Sequence, residues 1–434
     1  MKNKKLVVAV AAALTAASAV PALALENQFT GSFTAFFDTG NFAGTGVVTD
    51  DAPTSNYFVQ RLRLGYTAKA DDHVKLVTKF EFDYNFWGNS SYENARGGGG
   101  ALGADTVNME TKHIYLDLNY PTINAKIGMQ PVSDAFKGVV FDADMAGIVL
   151  SHEYSNATVT AGYSRFHDSA DGREAAPGVN ALGSKTYDMY LLDGKYTVSK
   201  ELTVGAAYYY INDNHTPGKY TLYTDSKVHT LGLNAAGVIG PVSLDGFAVK
   251  QLGDLTTGVD AKGYALNVGA KMALAGGTAR TEFLYVSGGK NAFYVPSSDQ
   301  GFTEGGQFYN SEMTMLGRDK WATTIDNAII YDVNNNGEGV IMGTVGYDYN
   351  FTDKISGAAN LGFAAVAKDA GVANVARHAG DSDYLGTEIN AECYYKLSPN
   401  VTLGARGGYV VVGDYFAKDA DNLWDMKVLA NYSF

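Results

Sequence analysis

The side chains best suited to chemistry are few and scattered in this chain. Seven histidines stand at positions 73, 113, 152, 167, 215, 229 and 378, and none has the close spacing to another ligand that marks a metal site. His113 and Asp117 fall on one face of an alternating stretch, where a base and a carboxylate could share a proton. No serine nucleophile can be placed beside them, so polar lining is the expected role. The stretch DVNNNGEG, from Asp332, matches part of a calcium loop. Asp332, Asn334, Asn336 and Gly337 have the right spacing, but the position that needs a bidentate glutamate is Gly343. A polar turn is expected there. The GGGG run from Gly97 lacks the strand-to-helix context of a phosphate cradle. Cys393 is the single cysteine, which excludes an internal disulfide and a C-x-x-C-H haem attachment. No enzyme, metal or cofactor is expected.

The charged residues are more informative, because they recur at every second position. In FVQRLRLGYTAK, Arg61 and Arg63 oppose Leu62, Leu64 and Tyr66. In KLVTKFEFDYNF, Lys79, Glu81, Asp83 and Asn85 oppose Phe80, Phe82, Tyr84 and Phe86. In TKHIYLDLNY, His113, Tyr115, Asp117 and Asn119 oppose Ile114, Leu116, Leu118 and Tyr120. In GTEINAECYYKL, Glu388, Asn390, Glu392 and Lys396 oppose Ile389, Ala391, Cys393 and Tyr395. Period two is the mark of β-strands with two unlike faces. The runs outlast soluble strands, which centre on roughly five or six residues. They suit the about 9 to 11 residues that a tilted membrane strand needs. An Arg or Lys facing mid-bilayer costs roughly 2–4 kcal/mol, so Arg61 and Arg63 should face a wet interior. Lys112 and Lys250 sit on the apolar parity of their strands. Lys112 is expected to reach the interface by snorkelling.

The connections alternate between tight and long. Ala70 to His73, Pro121 to Ile123, Ser155 to Asn156, Ser199 to Glu201, Ile239 to Pro241, Ala275 to Gly277, Thr352 to Lys354 and Ser398 to Asn400 read as turns. Between them lie polar, Gly-rich stretches such as residues 38–56, 88–106, 167–184 and 289–338. Short turns at one end and long loops at the other describe an up-and-down antiparallel barrel. The runs number about 18 strands, with 16 as the alternative. Residues 289–338 are the least regular and could hide another hairpin around NAIIYDV.

Both ends of the sequence fit an exported barrel. Lys2, Lys4 and Lys5 precede an apolar stretch, and Ala22-Leu23-Ala24 offers a cleavage site. Residues 1–24 are therefore expected to be a signal peptide and residues 25–434 a single barrel. The net charge of −13 argues against a nucleic-acid partner. The last strand ends NLWDMKVLANYSF, with Met426, Val428, Ala430, Tyr432 and Phe434 on one parity. It is expected to close against QFTGSFTAFFD, where Phe29, Phe33, Ala35 and Phe37 alternate with Thr30, Ser32 and Thr34.

These features together resemble the bacterial outer-membrane porins, general and substrate-selective. The resemblance spans the whole mature chain and rests on alternation rather than on a unique fingerprint. It implies an outer-membrane location and a water-filled channel for ions and small hydrophilic solutes. It further implies a homotrimer, and a terminal signature at Tyr432 and Phe434 that the barrel-assembly machinery reads. Inward positions would then line the pore: Arg61, Arg63, Lys79, Glu81, Asp83, Asp117, Lys126, Arg280, Glu282, Glu388, Glu392 and Arg406. Porins fold one external loop inward as a constriction. The best match lies in PVSDAFKGVVFDADMAG, which starts at Pro131; residues 131–145 are the candidate loop, with Asp134, Lys137, Asp142 and Asp144 as its charged members. The chain's negative charge points to cation preference or none. The alternative is a structural barrel that positions a partner, such as an electron-transfer protein. The strand number argues against a barrel phospholipase or protease, and the absence of a plug domain before the first strand argues against a TonB-dependent receptor.

Overall fold

A computed structural model describes residues 25–88, 100, 102, 109–168, 182–214, 225–296, 305–307, 309–321, 327–368 and 378–434, without the side chains of 83–85. The expected signal peptide and the side chain of Asp83 lie outside the described residues, as do parts of the loops at 88–106, 167–184 and 289–338.

Alternation in the sequence becomes antiparallel pairing around a closed wall. The strands are β1 (Glu26–Gly40), β2 (Ser55–Lys69), β3 (Val74–Phe86), β4 (Met109–Tyr120), β5 (Ile123–Ser133), β6 (Asp142–Glu153), β7 (Ala157–Asp168), β8 (Thr186–Thr197) and β9 (Leu202–Asp213). They continue as β10 (Lys227–Ile239), β11 (Val242–Thr256), β12 (Val259–Asp260), β13 (Tyr264–Leu274), β14 (Gly277–Val286), β15 (Val340–Asn350), β16 (Ile355–Ala365), β17 (Tyr384–Lys396), β18 (Val401–Val412) and β19 (Leu423–Ser433). The two-residue β12 only extends the end of β11, and β13 pairs with β11 directly. The wall therefore has 18 strands. Each tight connection expected from the sequence joins two consecutive strands of this wall.

The terminal strand closes the barrel. Tyr432 lies opposite Phe33, and Val428 opposite Phe37. Gly31 and Phe434 exchange backbone hydrogen bonds of 2.9 and 3.0 Å. Closure leaves no unpaired sheet edge, which hydrocarbon would not tolerate. The outer face presents apolar side chains around the wall, among them Phe29, Leu233, Ile389 and Val428, all more than half exposed on the isolated chain. Among the described residues no helix is long and apolar enough to cross a membrane; the strands are what span it.

Two sequence expectations are corrected. The further hairpin that the sequence left open around NAIIYDV is not there: the described part of 289–338 holds no strand, and its β pairing is an isolated bridge between Gly317 and Ile330. Ile329 and Ile330 are buried because this segment folds into the barrel instead of extending its wall. Lys112 does not snorkel outward. The pairing of β3 with β4 shifts from Lys79↔His113 to Phe80↔Thr111, so Lys112 is an extra residue. The bulge resets the parity and lets Lys112 and His113 both face inward, where both contact Asp144. Lys250 stays on the outer parity and near the outer rim, with its ammonium donating to the Lys262 carbonyl at 2.5 Å and lying over the Tyr264 ring.

The barrel interior is filled unevenly. A large cluster of buried residues joins inward side chains of β8, β9, β11 and β14 to two inserted loops, residues 134–141 and the described parts of 287–339. Phe136, Phe141, Met313, Met315 and Leu316 come from the loops, and Met189, Tyr209, Phe247 and Leu284 from the wall. Gly232 makes room for this packing: a Cβ there would sit 2.4 Å from the Phe136 ring.

Candidate functional site

On the side the loops leave open, β1–β4 and β18–β19 face a cavity of about 710 Å³. Arg61 and Arg63 reach it from β2, Lys112 from β4, and Arg318 and Lys320 from the long loop. Glu81, Glu110 and Asp319 are the acids on its lining. Strand alternation places Arg61, Arg63 and Glu81 on one inner face. Glu81 is almost fully buried, contacts Arg63 directly and lies 3.8 Å from Arg61. One carboxylate between two guanidiniums leaves a local positive excess, and a low-dielectric wall strengthens that field. The rest of the lining is hydrogen-bonding or aromatic, including Ser32, Thr34, Asn310, Trp321 and Tyr394.

The first inserted loop is shorter than the expected 131–145. Residues 131–133 belong to β5 and 142–145 to β6, so the loop proper is 134–141. Asp134 folds it by accepting hydrogen bonds from the backbone N–H groups of Phe136, Gly138, Val140 and Phe141 at 2.5–2.9 Å. The loop encloses the carboxyl, and burial pushes it up to about 6 despite these donors. Asp134 therefore shapes the loop rather than lining a path. Lys137 lies 2.5 Å from both Asp245 on β11 and Glu282 on β14. Asp142 accepts from Ser133 at 2.5 Å. Asp144 pairs with Lys112 at 3.0 Å and His113 at 2.8 Å. Both aspartates sit on the wall, at the start of β6, because pairing with β5 continues through Asp142.

The second inserted loop is the larger, and its described core comprises residues 305–307, 309–321 and 327–333. Glu388 on β17 is fully buried and accepts from Thr314 N, Thr314 Oγ1, Met315 N and Leu316 N at 2.6–3.0 Å. A carboxylate with this many donors holds a loop segment that no sheet pairs. Asp319 makes a two-pronged contact with the Arg406 guanidinium and lies 2.9 Å from Lys427 Nζ. Lys427 also lies 3.1 Å from Asp38 on β1. Burial opposes the charge of Asp319, but Lys427 and Arg406 hold its carboxyl well below the ordinary range. Lys320 lies 2.5 Å from Glu392 and 3.1 Å from Glu312. Burial works against its charge too, yet these two carboxylates raise its pKa.

The two loops are joined. Gly306 N donates to Gly138 O at 2.7 Å, and both glycines have positive φ, +74° and +76°, a conformation that disfavours a side chain. Tyr309 donates to Glu282, which also holds Lys137. Burial and the neighbouring Glu282 push the Tyr309 hydroxyl well above its usual pKa.

Of the inward set read from the sequence, Arg61, Arg63 and Glu81 line the open cavity. Arg280 and Glu282 line a second cavity of about 290 Å³ with Lys137 and Glu312. Glu388, Glu392 and Arg406 are inward but covered by the long loop. Lys126 lies over the Tyr115 ring and opposite Asp117, which is 4.0 Å from Lys75. Lys79 shares the inner parity with Glu81 and faces His113 across the bulged pair. The sequence reading missed Glu110, Lys112, Arg318, Asp319, Lys320 and Trp321. A bulge hid the first two. The only signal for the others was a long loop carrying Met313, Met315 and Leu316, too apolar for a segment in water. The Asp332 stretch is a turn: Asp332 accepts from Asn334 N and Asn335 N, and Asn334 caps Gly337 N.

No protein-family profile matches the chain, and no curated protein is similar to it in sequence. Solved structures are similar in fold. Pseudomonas aeruginosa OccK5 (OpdH) has a TM-score of 0.55 at 13% identity, over 94% of this chain and 98% of that one. Pseudomonas aeruginosa OccK2 (OpdF) in complex with glucuronate has 0.55 at 12%, over 94% and 96%. Acinetobacter baumannii OccAB4 has 0.54 at 12%, over 96% and 100%. The 18-strand closed wall, its apolar outer face and its inward loops give this chain the fold of the bacterial substrate-specific outer-membrane porins, and place it in the bacterial outer membrane.

Proposed function

We propose that the protein is a passive channel whose conducting path is the 710 Å³ cavity, and that it favours small hydrophilic solutes carrying negative charge. The observation that carries this reading is the basic cluster of Arg61, Arg63, Lys112, Arg318 and Lys320 on that cavity. Rings of Arg and Lys favour anions. The whole-chain charge of −13 points to cations or no preference, but the charge nearest the path acts on a solute at shortest range. The glucuronate in OccK2 is a solute of the same kind. The reading includes export through the N-terminal signal and recognition of Tyr432 and Phe434 by the assembly machinery. Each chain encloses its own lumen, so permeation requires no second copy; the homotrimer enters by resemblance alone and is tested by cross-linking in the membrane.

A barrel that sheathes a partner protein has less support. Its own loops fill one side of the lumen, and 710 Å³ is the size of a small-molecule site. The test is single-channel current in a planar bilayer under a salt gradient. Steady conductance with a reversal potential on the anion side supports the reading. A folded barrel with no conductance overturns it, and a cation-side potential overturns the charge preference.

A further inference from the structure

The two cavities share part of their lining. Tyr309 and Asn310 face both the 710 Å³ and the 290 Å³ cavity, so the inserted segment stands between them as a partition. One margin is fixed by packing. Met313, Met315 and Leu316 are buried, Glu388 accepts from the backbone N–H groups of Thr314, Met315 and Leu316, and Asn390 donates to Glu312 O at 2.9 Å. Glu312, Thr314 and Lys320 lie directly against Asn360, Asn390, Glu392 and Arg406, with no water-sized space between. The other margin, residues 318–321, faces the larger cavity. It has no strand pairing. Its anchors are side chains: Asp319 to Arg406 and Lys427, Lys320 to Glu392, and Trp321 to Tyr394 at 2.6 Å, with the Arg406 guanidinium over the Trp321 ring.

The geometry points to residues 305–307 and 309–321 as a partition of the lumen, with Asp319 as the positioning residue that fixes the margin at 318–321 and so sets the largest solute that passes. This deepens the channel reading and rests on it. Asp319 is the centre of this margin because its buried carboxylate pairs with cations on two strands, β18 through Arg406 and β19 through Lys427. Its removal also breaks the seat of Trp321, whose backbone N–H donates to Asp319 Oδ1 at 2.7 Å. Lys427 then loses one of its two carboxylate contacts, keeping the one to Asp38, and Arg406 loses its two-pronged partner. Buried charges left in this way drive a rearrangement rather than persist. Without the Asp319 contacts, this margin is released on its Arg406 and Lys427 side, while the Glu388 side remains packed.

The test uses full-length protein in liposomes and planar bilayers. Swelling rates are measured with arabinose, sucrose and raffinose, neutral sugars of increasing size, so that charge preference does not enter. In Asp319→Asn the raffinose rate relative to arabinose is expected to rise severalfold, with a larger single-channel conductance. Asp319→Glu, which restores the charge, is expected to return the ratio toward wild type. Arg406→Gln attacks the same contact from the wall and serves if Asp319→Asn does not fold; it should give the same change, and the double variant no further one. Folding is checked by the heat-modifiable migration of the barrel. Unchanged sugar ratios in a folded Asp319→Asn or Arg406→Gln overturn the proposal. A wild type that conducts while the variants match it sinks the partition alone. A wild type silent to salt and all three sugars sinks the channel reading, unless the variants conduct, in which case Asp319 holds the path closed and its positioning role stands.

Discussion

Two sides of the same barrel wall obey one alternation rule and hold opposite contents. On β8, β9, β11 and β14, the inward Met189, Tyr209, Phe247 and Leu284 are at most 7% exposed, packed against the loops. On β2 and β4, the inward Arg61, Arg63 and Lys112 face an open cavity. The difference shows that parity decides only which way a side chain points. Whether that direction meets water or packed protein depends on where the loops return. The loop-filled side behaves as a soluble core built inside a membrane barrel, and the open side as an aqueous wall.

The strongest way to break this comparison is to hollow out the filled side. Phe136→Ala removes the ring seated against Tyr209 and Phe247 and is expected to cost ~3–5 kcal/mol, as a buried aromatic does in a core. Leu233→Ala on the outer face should cost much less, because lipid re-covers the site. Thermal unfolding in detergent compares the two, and equal losses would refute the idea of a core inside the lumen. Glu388→Gln comes next. It keeps one acceptor oxygen but turns an amide toward the donors of Met315 and Leu316, and ~2–3 kcal/mol should be lost. A change within error in the same assay would mean that the loop is held by packing alone.

A smaller, pH-dependent effect belongs to Asp134. Its folded carboxyl titrates near 6, above the ordinary 3.8. The folded chain thus takes up a proton that the unfolded chain does not yet hold, so stability should rise as pH falls from 7 to 4 and level off below. The residue is half-buried, so the gain is expected to be only ~1–2 kcal/mol. Asp134→Asn should flatten that slope, and a slope unchanged by the substitution would assign it to other groups. The least effect on stability is expected on the open side. Neutralising Arg63 alone to Gln, which leaves Arg61 beside the buried Glu81, should leave the barrel folded and move the reversal potential toward cations. No movement would place the conducting path elsewhere in the lumen.

The wall was legible because period two is a local property: Leu62, Leu64 and Tyr66 needed only their neighbours in sequence to be assigned to lipid. The same locality explains the failures. Lys112 was misassigned because a bulge inserts one residue without any mark in composition. Glu388 was read as pore lining, although its inward direction was right, because nothing near it in sequence tells that Thr314, Met315 and Leu316 return to cover it. The apolar Leu423 and Leu429 on the polar parity were a trace of the same covering; both are buried inside the barrel.

By itself the sequence determined the antiparallel meander of about 18 strands, its tight turns, its closing strand and, away from the β4 bulge, the side that the wall residues face. Hydrogen bonding in lipid permits few other arrangements of such a pattern. Tertiary structure alone decided which inward residues stay wet, that the described parts of the long 287–339 segment enter the lumen, and that Asp319 meets Arg406, Lys427 and, through Lys427, Asp38. Those contacts join residues from distant parts of the chain, and their energy comes from burial and paired charge in a shared interior. No periodicity along the chain encodes a meeting of that kind.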